Sequence, residues 1–302
     1  MVIDSYMNAK KLLRPAALVG LLIVIIGLFA YYIDKHPSII KTLGHVSPWT
    51  LVVLLITYVI LMLFWMGAYN ATLNLCSERR LEPKENLLLS AYSTLANFFL
   101  PLQSGPGVRA LYLKRRYKLP VTSYVFASLV YYGCYAVISA ALLFLASSYW
   151  WAALPASVAA AGISLAVINF AKKRFQKKNK QLKLDLSRDR VIRLVAMTLG
   201  QIIIQAIIYG IELHSLHLSS NPLRVLSYTG AANFSLFVAL TPGAIGFREA
   251  FLTFARGLHH YSTNSIIAAN LIDRGTFLVF LGLLFIVVVA THARNKIKNM
   301  EL

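Results

Sequence analysis

The chain has 302 residues, 58% of them hydrophobic and only 14% charged, with a mean hydropathy of +0.64. A soluble domain carries roughly 25% charged residues and could not hide so much apolar surface, so the composition describes a polytopic membrane protein. It also carries 30 Lys+Arg against 11 Asp+Glu, a net charge of +19, which points either to nucleic acid or to cytoplasmic loops facing anionic lipid.

The N-terminal stretch MVIDSYMNAKKLLRP places basic residues before an apolar run at 15–33. This run is too long for the apolar core of a signal peptide and no small-x-small cleavage site follows, so it reads as an uncleaved first span. A second span is predicted at 49–74. The region 119–171 holds no charged residue, and at 1.5 Å per residue it is about 80 Å of helix, enough for two crossings at 121–146 and 152–170. The fifth and sixth spans are predicted at 192–212 and 264–291.

Two further uncharged stretches, 86–108 and 225–247, end in helix breakers: Pro101-Leu-Gln-Ser-Gly105-Pro-Gly107 and Pro242-Gly243-Ala-Ile-Gly246. Such endings predict hairpins that enter the membrane and return. With the N-terminus inside and both stretches re-entrant, 24 of the 30 cations face the cytoplasm, ten of them in the basic loop 171–193. If both stretches crossed, the split would be 10 inside and 19 outside, against the positive-inside rule. The expected arrangement is all-α: about six spans, two re-entrant hairpins, and both termini cytoplasmic in a cell membrane. The basic excess then serves mainly to orient spans, and no nucleic-acid partner is expected.

The sequence also repeats. Leu87, Tyr92, Ala96, Asn97 and Phe98 match Leu223, Tyr228, Ala232, Asn233 and Phe234, and Gly107-Val-Arg109 matches Gly246-Phe-Arg248. One transmembrane domain, 1–302, would then hold one copy at about 48–146 and a second at about 189–291. Three crossings separate them, so the second copy is expected upside down. Transporters built this way bind substrate near the midplane, where the copies meet.

The chemistry concentrates at the hairpins. Asn97, Ser104, Gly105, Gly107 and Arg109 in the first copy suit an anion, as do Asn233, Pro242, Gly243, Gly246 and Arg248 in the second, with Glu249 alongside. Glycines let backbone N–H groups approach a ligand, a helix start favours negative charge, and arginine offers a planar fork to phosphate. Asp273 and Arg274 interrupt the last span, where charges mark function or an ion pair. Arg248 is the expected partner of Asp273, and Glu249 or Glu212 that of Arg274. Gln201 and Gln205 lie one helical turn apart and could line the same cavity, while Trp65 reads as packing. Trp49, Trp150 and Trp151 fall at predicted outer span ends, as an aromatic belt would. Cys76 and Cys134 read as inert thiols. The histidines His214, His217, His259 and His260 lack acidic companions at ligand spacing. No metal, cofactor or catalytic motif is expected.

The motifs NFFLPLQSGPGVRALYLKRR and ALTPGAIGFREAFL resemble those of the lysylphosphatidylglycerol synthase transmembrane (flippase-like) family, and the resemblance extends over about 10–295. It implies lipid translocation and implicates Gly105, Gly107, Arg109, Pro242, Gly243, Gly246, Arg248 and Glu249. Where the family often carries a Glu-Arg pair inside the span after the first motif, this chain reads Tyr131-Tyr132-Gly133, and Pro106 and Val108 also depart from the pattern. The chain ends at Leu302, so no aminoacyl-transferase activity is expected of it. The expected function is translocation of an anionic phospholipid or polyprenyl-phosphate-linked lipid, without catalysis. Homo-oligomerisation stays open. An integral-membrane glycosyltransferase or an accessory subunit of a cell-envelope synthase are the alternatives.

Overall fold

Prolines mark where the helices begin. The computed structural model describes residues 46–100, 104–176, 184–237, 244 and 247–298, and their side chains except at 174–176 and 292–298. In it, α1 (Pro48–Asn74) and α2 (Pro83–Phe99) open on a proline, and α3 (Gly105–Tyr117) carries Pro106 in its first turn. A first-turn N–H has no partner within the helix, so proline loses nothing there. Pro120 immediately precedes α4 (Val121–Leu143). A 3-10 turn (Trp150–Ala152) leads into α5 (Ala153–Gln176), and α6 (Arg188–Ser215) follows. Helix α7 (Pro222–Ser235) is capped by Asn221, whose side-chain oxygen accepts from the Leu223 N–H at 2.9 Å. The chain continues through α8 (Phe247–Phe254), α9 (Arg256–His259) and α10 (Thr263–Lys298).

Among the described residues five helices are long and apolar enough to cross a bilayer: Pro48–Asn74, Val121–Leu143, Trp150–Lys173, Arg188–Ser215 and Thr263–Thr291. They coincide within a few residues with predicted spans two to six. The predicted first span, 15–33, and much of the basic loop, 177–183, lie outside the described residues. The outward faces of the five described spans carry large apolar side chains, including Leu154, Val158, Ile163, Ile203 and Ile286. Water would not tolerate that surface, whereas a bilayer does. Among the described residues there is no strand, so the protein is an all-α, multi-pass membrane protein.

The predicted hairpin stretches lead into short helices, α2 and α3 in the first and α7, α8 and α9 in the second. α2 has 17 residues and α7 has 14, about 25 and 21 Å, shorter than the roughly 30 Å hydrocarbon core. The order long, short, short, long therefore occurs twice, as α1–α4 and as α6–α10, with the third position divided in the second group into α8 and α9. The joints correspond as well. Lys118 ends α3 and His260 ends α9, both with left-handed backbone (φ 55° and 62°), and a long helix starts three residues after each.

The two groups interlock. α1 packs along α6; α4 leans on α6 and α7 of the second group; α10 leans on α1 and α2 of the first. The α4–α7 contact is backbone to backbone at Gly230, where a Cβ would fall 2.5 Å from the Leu143 nitrogen and 2.8 Å from the Ser139 carbonyl. The Ser227 hydroxyl donates to the Leu143 carbonyl at the same place, tying down a helix-end acceptor.

Candidate functional site

Where the two groups meet lies a cavity of about 200 Å³, lined by α1, α2, α4, α6, α7 and α10 together with Ala244 and Arg248. Its walls are aromatic: Tyr58, Trp65 and Tyr69 from α1, Tyr131, Tyr132 and Tyr135 from α4, Tyr209 from α6 and Phe277 from α10. Polar groups are few. They are Thr94, Asn97, Gln201 and Gln205, together with the tyrosine hydroxyls and the charged Arg248, Asp273 and Arg274, of which Arg248 and Asp273 form an ion pair. A mostly apolar cavity with a few converging polar groups is the usual form of a ligand site.

The charged end is built from α8 and α10. Arg248 Nη1 donates to Asp273 Oδ2 in an ion pair with both side chains buried. The Tyr58 hydroxyl donates to the other oxygen, Oδ1, so Asp273 is held from two sides. The Arg248 guanidinium also stands 5.1 Å over the Tyr209 ring. Arg274 points elsewhere and meets Glu249 at 3.5 Å. Adjacent residues on a helix diverge by about 100°, which is why neighbours in sequence serve different partners. Both expected pairings are present, with Glu249 rather than Glu212 opposite Arg274. Glu212 is buried beside Asp273 and Arg248, behind the cavity wall.

The matching arginine is held differently. Arg109, only 2% exposed, lies 3.7 Å over the ring of Tyr69 and among Tyr124, Tyr131 and Tyr132. It does not line the cavity, but Tyr69, Tyr131 and Tyr132 stand between the two. Its Nε and Nη1 have no hydrogen-bond partner among the described residues. The sequence between Glu85 and Asp185 holds no acid, and Glu85 accepts from Tyr112 and Tyr117 instead. Thus each hairpin arginine sits over a tyrosine from the preceding long helix. Arg248 has a carboxylate partner and Arg109 has a cage of phenols.

The remaining predicted residues divide. Asn97 lines the cavity, and its Oδ1 accepts from the Gly105 N–H at 2.7 Å, closing the first hairpin. Gly105 is thereby a packing glycine: a Cβ there would lie 2.6 Å from Asn97 Oδ1 and from the Ser93 carbonyl. Gly107 faces open space, with nothing within 4 Å of where a Cβ would be. Asn233 donates to Gln205 Oε1 at 3.1 Å from just behind the wall. Pro242, Gly243 and Gly246 lie outside the described residues. Burial pushes the Cys76 thiol up to about 12, in keeping with an inert thiol.

What the sequence reading missed is the aromatic wall. Trp65 lines the cavity and meets Phe277 edge-on. Tyr131 and Tyr135, one helical turn apart, donate to Gln201 and Gln205, also one turn apart, at 2.7 and 2.9 Å. Two i, i+4 pairs of complementary polarity in separate spans were the signal for that contact.

No curated protein and no solved structure matches the chain. A family model does, described as the lysylphosphatidylglycerol synthase TM region, over residues 16–285. That match takes in every described helix up to most of α10, and with them both arginines, the interlocked helix groups and the cavity between them. The chain belongs to the family of the lysylphosphatidylglycerol synthase TM region.

Proposed function

We propose that the protein translocates an anionic lipid, a phospholipid or a polyprenyl-phosphate-linked lipid, across a cell membrane, and that it acts as a carrier rather than an enzyme. The observation that carries this reading is Arg109. A buried guanidinium with no carboxylate partner among the described residues is costly, and an anionic headgroup is its natural complement. The aromatic cavity beside it offers apolar surface and polarisable ring faces. In this reading the two hairpins are re-entrant and inverted, the first open to the cytoplasm and the second to the other side. Arg109 receives the phosphate from one side and Arg248 from the other, where the phosphate competes with Asp273 for the guanidinium. Gln201, Gln205, Asn97 and Asn233 stabilise the headgroup between them.

The test is a reconstituted scramblase-type assay. The protein is placed in liposomes with fluorescent phosphatidylglycerol, and loss of outer-leaflet probe is followed by a membrane-impermeant quencher. Arg109→Gln is expected to slow transfer tenfold or more, the equivalent of about 1.4 kcal/mol in the barrier, with a smaller effect on a zwitterionic probe. Equal rates for wild type and Arg109→Gln across phospholipid and polyprenyl-phosphate probes would overturn the reading.

A further inference from the structure

Behind the charged end of the cavity lies Glu212, on α6, fully buried. Its electrostatic neighbours come from every side: Tyr58 on α1, Tyr209 on α6 itself, Tyr228 on α7, Arg248 on α8 and Asp273 on α10. Yet no N–H or O–H donor among the described residues reaches either of its oxygens. The group within hydrogen-bonding reach is the Asp273 carboxyl. Asp273 is itself committed as an acceptor, from Tyr58 on one oxygen and from Arg248 on the other.

Two acceptors cannot bond to each other unless a proton lies between them. The charge count agrees. Arg248 and Arg274 bring two positive charges, and Asp273, Glu212 and Glu249 bring three carboxyl groups. Arg248 already belongs to Asp273, and Arg274 meets Glu249. Glu212 is the remaining acid, deep in the protein, where an uncompensated carboxylate is expensive.

We propose that Glu212 and Asp273 form a proton-binding site, with one exchangeable proton carried on Glu212 and directed at Asp273. The site does not depend on lipid translocation. If an anion does reach Arg248 and draws it from Asp273, the two carboxyls are left facing each other, and a bound proton is what keeps them from repelling. Anion entry and proton retention at this end of the cavity are then linked. The ligand assigned here is a proton, and the residues that hold it are Glu212, Asp273 and Arg248.

The experiment reads the proton directly and needs no transport. Infrared spectra are taken of the full chain in lipid nanodiscs near neutral pH, with carbon-13 in the side-chain carboxyl of glutamate or of aspartate. A carboxylic-acid C=O band that shifts with glutamate labelling, not with aspartate labelling, and moves again in heavy water is the expected result. Glu212→Gln removes that band. Asp273→Asn also removes it, because Arg248 and Tyr58 are freed to hold Glu212 as a carboxylate. The absence of any glutamate-labelled acid band near neutral pH overturns the proposal, as does a band that persists in Glu212→Gln or one that does not respond to heavy water. Should Glu212→Gln fail to fold, labelled wild type still decides, since the presence or absence of the band requires no variant. A failure of lipid transfer in the liposome assay leaves this measurement unaffected.

Discussion

The guanidinium of Arg109 lies 3.7 Å above the ring of Tyr69, close enough for the ring face to support the cation alongside the hydroxyls of Tyr124 and Tyr132. A desolvated contact of this kind is worth about 2 kcal/mol. Tyr69→Phe keeps the ring and is expected to leave thermal stability nearly unchanged. Tyr69→Leu removes it and should cost about 2 kcal/mol, read as a fall in melting temperature of the detergent-solubilised protein. Equal stability of the Phe and Leu variants would show that the ring face does not support the cation.

Arg248 and Asp273 form the counterpart, a buried pair whose members are costly alone. Removing Arg248 leaves Asp273 a buried, uncompensated charge and should cost about 3–5 kcal/mol, whereas removing Asp273 should cost less, because Glu212 stands ready to pair with Arg248. The double variant Arg248→Met/Asp273→Leu removes both charges and is expected to recover most of that loss without recovering lipid transfer. A double-mutant cycle on melting temperature and transfer rate checks both halves. Additive losses in stability would show that the two residues are not coupled.

The glycines separate architecture from ligand approach. Gly230→Ala drives a methyl group into the Leu143 backbone and should destabilise by about 1–3 kcal/mol or more. Gly105→Ala meets Asn97 and the Ser93 carbonyl and should do likewise. Gly107→Ala meets nothing, so its stability should match wild type, and any fall in transfer rate then reports ligand approach at the start of α3. Melting curves and liposome rates for the three variants distinguish these outcomes.

His259 makes stability depend on pH. Its Nδ1 accepts from the Tyr261 N–H at 3.2 Å and its Nε2 lies 3.0 Å from the Leu252 carbonyl, an arrangement only the neutral ring satisfies fully. Burial pushes its pKa down to about 4. The unfolded chain takes up the proton near pH 6.5 and the folded one does not, so stability falls as pH drops from about 6.5 towards about 4. The slope is about 1.4 kcal/mol per pH unit, and roughly 3 kcal/mol is lost over the window. His259→Asn should flatten this slope in a melting-temperature series, whereas an unchanged slope would assign the dependence to other groups.

Most of the fold was legible because spans advertise themselves by composition. The ends of α1, α4 and α6 and the start of α10 fall within a few residues of where charge and proline first suggested. The pairs Arg248–Asp273 and Arg274–Glu249 were legible for a related reason: charges inside an apolar span are so costly that few partners are available. The cage around Arg109 was not, because tyrosine is equally at home in packing, at interfaces and in a site, and nothing in the spacing of Tyr69, Tyr124 and Tyr131 distinguishes these roles. The role of Asn97 was legible only in part. A polar residue beside Gly105 suggested ligand contact, and the fold employs it first to hold the Gly105 amide.

The interlocking of the two helix groups bears on how the two arginines are set in the fold. Because α10 leans on α2 and α4 leans on α7, each helix group is closed by a long helix of the other. The hairpin carrying Arg109 packs on the helix that carries Asp273, and the hairpin carrying Arg248 packs on the helix whose Tyr131 and Tyr132 surround Arg109. The helix that supplies Asp273 and the helix that supplies Tyr131 and Tyr132 each bear on the other group, so the surroundings of the two arginines belong to one continuous packing.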